Sequence, residues 1–179
     1  ALFDEIFQMS FRVPSSGYDV GSYVKGKLEH MGIQTGDEAE LNFYTALVRR
    51  SVGSEPKSMD RLFNSFLLLK SMADRDLYES TVQRLMLFAL LCMQTRFQPV
   101  YDQLKRLRSQ VTPELLSGLC GEDSEVTARS GLGGEEAADF RAFAQVFCDI
   151  INTDNTAGIS QAECGVFARV LEFSSITSK

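Results

Sequence analysis

The sequence predicts an all-α protein, and three observations carry that prediction. Apolar residues recur at three- and four-residue steps in one segment after another. No run of strand length alternates cleanly between apolar and polar residues. Val and Ile, the residues that favour strands, are thin relative to Leu and to the thirteen Phe. With 179 residues, 44% of them apolar, the chain is long enough to bury one real core and too short for two full domains. The expectation is a single-domain bundle of eight or nine helices that closes on a C-terminal helical hairpin.

Leu2, Phe3, Ile6, Phe7 and Phe11 form an amphipathic stripe that stops before Val13-Pro14 and should dock on the body. A second helix begins near Asp19, turns Val20, Tyr23, Val24, Leu28 and Met31 to one side, and ends at Gly32 in a C-cap position. Thr35-Gly-Asp-Glu38 has capping-box spacing and opens a helix carrying Leu41, Tyr44, Leu47 and Val48. After the loop 51–58, the positions Met59, Leu62, Phe63, Phe66, Leu69 and Met72 make a wide apolar face. The segment from Leu77 to Gln94 reads as the most buried helix, because Leu85 to Met93 is apolar on every side. Pro99 and Pro113 suit the first turns of two further helices, where a missing N–H costs little. Five glycines and scattered acids between 118 and 134 predict a flexible connection. The expected organisation is a helical body over 1–117, that linker over 118–134, and an acidic helix-loop-helix over 135–174 packed on the body.

The formal charge of −6 lies wholly in the last third: residues 122 to 179 hold ten acids against four bases, while acids and bases cancel before them. An acidic field attracts cations and disfavours nucleic-acid backbones, so no nucleic-acid partner is expected. The longest apolar run, Leu85 to Met93, is far short of the roughly 20 residues that cross a bilayer, so no membrane span is expected. Cys92, Cys120, Cys148 and Cys164 show neither a CxxC pair nor the density of a disulfide scaffold. Buried thiols at 92, 148 and 164 are therefore expected, in an intracellular reducing compartment, cytoplasm or an organelle matrix after loss of a targeting peptide.

Between the last two helical patterns runs Asn152-Thr-Asp154-Asn-Thr156-Ala157-Gly158-Ile159-Ser160-Gln-Ala-Glu163, with oxygen-bearing residues at alternate places and a carboxylate closing the set. This stretch resembles the EF-hand. The resemblance implies calcium ligands from the side chains of Asn152, Asp154 and Thr156, the carbonyl of Gly158, a water-mediated contact at Ser160 and both oxygens of Glu163. Ile159 would supply the apolar contact of such loops. Ala157 stands where the sharp turn favours Gly, and Asp154 and Glu163 are the only carboxylates, which implies weak binding. No second loop of this pattern occurs in the chain. The same residues also read as an ordinary turn: Ser160-Gln-Ala-Glu163 is a capping box, preceded by turn-forming Asn and Asp.

Other chemistry is sparse. His30, the only histidine, reads as a helix-surface or semi-buried residue. The paired acids Glu38 and Glu40, or Asp74 and Asp76, read as solvated helix ends, and Gly131-Leu-Gly133-Gly134 is followed by two glutamates that would repel a phosphate. No nucleophile has an identifiable base. The functional expectation is therefore a non-enzymatic interaction or scaffold subunit with a protein partner and calcium as its candidate ion. The alternatives are a metal-free structural subunit of a larger assembly, and an unrecognised enzyme or small-ligand carrier.

Overall fold

The computed structural model describes residues 19–73, 79–119, 121, 124–152 and 158–178. Among them every regular element is helical: α1 Val20–His30, α2 Glu38–Ser51, α3 Pro56–Met72, α4 Thr81–Arg96, α5 Gln98–Arg106, α6 Pro113–Leu119, α7 Glu125–Ser130, α8 Gly134–Ile151 and α9 Gln161–Ser174. Two short 3-10 turns complete them, η1 Arg108–Gln110 and η2 Ser175–Thr177. The expected all-α bundle is present. The stripe Leu2–Phe11 and the acids Asp74 and Asp76 lie outside the described residues.

Helix α4 is the hub, packed against α2, α3, α5, α8 and α9. Its residues from Leu85 to Met93 are all buried, as an all-round apolar sequence requires. It starts at Thr81, with the Ser80 hydroxyl accepting the N–H of Gln83 at 3.4 Å. On one side Phe88 sits among Tyr44, Phe63 and Phe66, at centroid distances of 5.0, 5.3 and 5.1 Å. Past the other end of α4, Phe97 packs on Phe140 and Phe143 of α8 at 5.2 and 5.4 Å.

The start of α2 differs from the expected box. The N-cap is Asp37, which accepts the N–H of Glu40 at 2.8 Å, while Glu40 reaches back to the N–H of Gly36 at 2.8 Å. The register follows the acid that is buried: Glu40 turns inward to Arg84 on α4, 2.9 Å away, and only 4% of its surface is exposed. Glu40 is therefore no solvated helix end. His30 is exposed at the end of α1, which decides between the surface and semi-buried readings in favour of the first. Within the stretch expected to be a flexible connection, Glu125–Ser130 forms a helix capped by Ser124 and stopped by Gly131 in the left-handed conformation. Val126 is buried there, and α7 packs on α5 and α6. A cap, one apolar anchor and a terminal glycine make a two-turn helix that glycine-rich composition conceals.

Helix α1 is fastened to α3 by a polar joint. Asp60 accepts from Lys27 at 2.7 Å and from the Tyr23 hydroxyl, and the Tyr23 ring meets Phe63 edge-on at 6.1 Å. Burial first, and the bond to Asp60 next, push the Tyr23 phenol from 10.0 up to about 12. Because the folded value lies above the unfolded one, this contribution to stability is complete below pH 10 and disappears as the pH rises toward 12. The native chain should accordingly lose urea resistance between pH 10 and 12 more steeply than Tyr23→Phe. Parallel midpoint curves for the two proteins would contradict the joint.

Candidate functional site

The candidate loop lies between the two longest elements of the acidic C-terminal third. Helix α8 opens with Glu135 and Glu136, favourably placed at a helix start, and Arg96 at the end of α4 reaches Glu136 and Asp139 at 3.2 and 3.5 Å. The helix buries Phe140, Phe143, Phe147, Ile150 and Ile151 and ends at Asn152, whose N–H donates to the Cys148 carbonyl at 2.9 Å. Asn152 itself is exposed. Asp154 and Thr156 fall within 153–157, outside the described residues.

Gly158 has φ +148°, a conformation side chains resist. The glycine-requiring position is thus at the seventh place of the loop, whereas the EF-hand resemblance puts its sharp-turn glycine at the sixth, where Ala157 stands. Ile159 is 7% exposed and joins the core, as the resemblance implies for the eighth place. Ser160 is the N-cap of α9 and completes a capping box: its hydroxyl accepts the Glu163 N–H at 3.3 Å, and Glu163 Oε2 accepts the Ser160 N–H at 2.5 Å. Of the six sequence-derived ligands, the structure joins Ser160 and Glu163 directly and places Asn152 and Gly158 at the loop's two ends.

This arrangement bears on how well the residues fit a calcium ion. Glu163 supplies the right donor type, an oxygen anion, at the right place in the first turn of the exiting helix. One of its two oxygens already caps a backbone N–H, while the EF-hand pattern uses both on the ion. Two-oxygen ligation and the capping box therefore compete for the same carboxylate. The loss of a cap costs about 0.5–2 kcal/mol, which subtracts from an affinity already limited by two carboxylates.

The exiting helix is anchored along its length. Cys164, Phe167, Val170 and Leu171 are buried, α9 packs on α4, and Phe167 meets Phe147 of α8 edge-on at 5.8 Å. At its far end Ser174, fully buried, contacts the Tyr101 hydroxyl at 2.8 Å, and its carbonyl accepts from Gln94 at 2.7 Å. Burial holds the Tyr101 phenol above its ordinary range, partly offset by the Ser174 bond. A displacement at Ser160 would thus be felt across the α4–α9 contact.

Cysteine differs from expectation at one position. Cys92 and Cys164 are free and buried, but Cys148 is disulfide-bonded. Three apolar-helix cysteines look alike in sequence, which says nothing of whether a second sulfur approaches one of them. Burial pushes the Cys92 thiol up to about 12, and burial plus the neighbouring Glu163 charge raise Cys164. Neither has the lowered value of a reactive thiol.

One cluster escaped the sequence reading: Glu40, Arg84 and Tyr44, between α2 and α4. The Arg84 guanidinium bridges Glu40, Thr81 and the Glu79 carbonyl at 2.9, 3.1 and 3.2 Å. Burial first, then the Glu40 charge, keep the fully buried Tyr44 phenol far above its usual range. The signal available was Asp37-x-x-Glu40, a second capping register overlapping the first. A surface cleft of about 540 Å³ also runs along α2, lined by Asn42, Thr45, Ala46, Arg49 and Arg50.

No family model, curated protein or solved structure matches this chain. Fold and hairpin define its class: an all-α bundle with a capped, acidic C-terminal helix-loop-helix. Among the described residues no helix is long and apolar enough to cross a membrane.

Proposed function

We propose that this chain is a non-enzymatic interaction or scaffold subunit whose C-terminal hairpin takes calcium weakly, at the expense of its own capping box. The observation that carries the reading is the placement of Ser160 and Glu163 in the first turn of α9, with Ile159 turned into the core immediately before them. In this reading the ion draws Glu163 away from the Ser160 N–H, the start of α9 adjusts, and the surface offered to a protein partner changes with it. The strongly shifted groups Tyr23, Tyr44 and Cys92 lie in helix–helix joints or the core, which suits binding better than catalysis. An intracellular location belongs to the same reading. The free buried thiols Cys92 and Cys164 support it, and the disulfide at Cys148 argues against a strongly reducing compartment.

A second reading has its own support. Because the capping box is complete without an ion, the hairpin also suits a purely structural accessory subunit. Calorimetry and thermal unfolding separate the two. With a Kd of roughly 1 mM, the weak end for such loops, 10 mM calcium stabilises by about 1.4 kcal/mol. That corresponds to a rise in Tm of about 3–5 °C. Glu163→Gln should abolish this rise while keeping the fold, since glutamine also serves a capping box. No heat and no shift at millimolar calcium would leave the structural reading in place.

A further inference from the structure

Where α3, the α4–α5 corner and η2 meet, a cleft of about 250 Å³ is lined by polar side chains throughout its described wall. Helix α3 contributes Arg61 and Ser65, the corner Gln94, Thr95 and Gln98, and the turn at η2 Thr177 and Ser178. Pockets for drug-sized ligands run to roughly 300–1,000 Å³ and are mostly apolar. This one suits a smaller and more polar ligand.

Most of the lining groups are already held in place. Gln94 donates to the Ser174 carbonyl at 2.7 Å and accepts from the Thr177 hydroxyl at 3.2 Å. Thr95 donates to the Leu91 carbonyl at 2.9 Å, and Ser178 donates to the Ser175 carbonyl at 2.9 Å while accepting from Lys105 at 2.7 Å. Gln98 gives an amide N–H to Asp102 at 3.0 Å. With their hydroxyl protons committed, Thr95 and Thr177 offer lone pairs to the cleft, and Gln98 offers its amide oxygen.

Arg61 and Ser65 are the exceptions. They stand four positions apart, hence on one face of α3, and among the described residues neither has a hydrogen-bond or ionic partner. Asp60, next to Arg61 in the chain, is taken by Lys27 and Tyr23 of α1, and no acid lines the described wall of the cleft. A guanidinium without a counter-ion, beside a hydroxyl with its proton to give, matches an oxyanion: the planar fork takes two oxygens and Ser65 a third. The acceptors on the other walls match hydroxyl groups carried by the same ligand.

We propose that this cleft binds a small hydroxylated oxyanion, a sugar phosphate or a hydroxy acid, with its anionic group on Arg61 and Ser65 and its hydroxyls on Thr95, Thr177 and Gln98. The site uses no residue of the loop between α8 and α9 and needs no calcium. It therefore stands or falls apart from the hairpin reading.

Titration calorimetry and thermal unfolding of the full chain test it, in EDTA and at constant ionic strength, with glycerol phosphate and malate as probes. At least one probe should bind at one site per chain and, at ten times its Kd, raise Tm by about 3–5 °C. The tighter of the two identifies the anionic group as phosphate or carboxylate. Propyl phosphate and succinate, which lack the hydroxyls, should bind about fivefold more weakly than their counterparts. Arg61→Gln should weaken the tighter probe by about tenfold or more, whereas Arg50→Gln on α2 should leave it unchanged. Both arginines are exposed, so neither change threatens the fold. Equal weakening by the two variants would reduce the effect to general anion attraction and overturn the proposal. So would equal affinity for the analogues without hydroxyls, or no saturable binding of either probe.

Discussion

Phe88→Ala should cost about 3–5 kcal/mol, the largest loss expected from truncating one side chain here. The ring is fully buried at the middle of the hub helix, and three aromatic neighbours from α2 and α3 close on it within 5.3 Å. Removing it forfeits the transfer of a large apolar surface from water and edge-on contacts worth about 0.5–1.5 kcal/mol each. It also opens a cavity that Tyr44, Phe63 and Phe66 cannot all fill, since each is held by its own helix. Against a total stability of about 5–15 kcal/mol for a domain, the variant keeps its fold only narrowly. Urea unfolding with an unchanged slope and a strongly lowered midpoint would confirm the packing. A change below about 1 kcal/mol would mean that α2, α3 and α4 do not converge on this ring.

The hub was legible because its signal is additive: nine successive apolar residues from Leu85 to Met93 leave a helix no solvated side, so it must be central. The faces of α1 and α3 were legible for the same reason, with Val24, Leu28, Phe63 and Phe66 buried where periodicity placed them. Which helices touch is a different kind of fact. Nothing in the spacing of Tyr23 announces Asp60, 37 positions away, and nothing around Cys148 announces a sulfur partner. At the hairpin, Ser160 and Glu163 were readable as a pair because a capping box is local. An ion site at the same residues depends on whether distant oxygens converge, which a linear pattern leaves open. Glu40 shows the limit most sharply: as one of two acids near a helix start it looks solvated, and only a partner 44 positions away takes it inside.

That partner supplies the second large effect. Arg84→Met keeps an unbranched apolar stem of similar reach but removes the cation bonded to a carboxylate whose side chain is 2% exposed. Burial is the largest influence on Arg84 and opposes its charge, but the bond to Glu40, the Glu40 charge and the neighbouring Tyr44 together outweigh it and hold the guanidinium above its ordinary value. The pair therefore acts as a unit. With Arg84 gone, Glu40 keeps the N–H of Gly36 as its described contact, and a buried charge left so poorly compensated costs about 3–5 kcal/mol. The ion pair as a whole is worth much less, because ion pairing mostly repays the desolvation of both groups. Glu40→Gln in the Arg84→Met background should therefore recover most of the loss: the amide oxygen still accepts from Gly36 and no charge remains to be buried. A double-mutant cycle by urea unfolding reads this as a coupling of several kcal/mol. Simple additivity, with the double variant losing as much as the two single variants together, would show that the joint between α2 and α4 rests on packing alone.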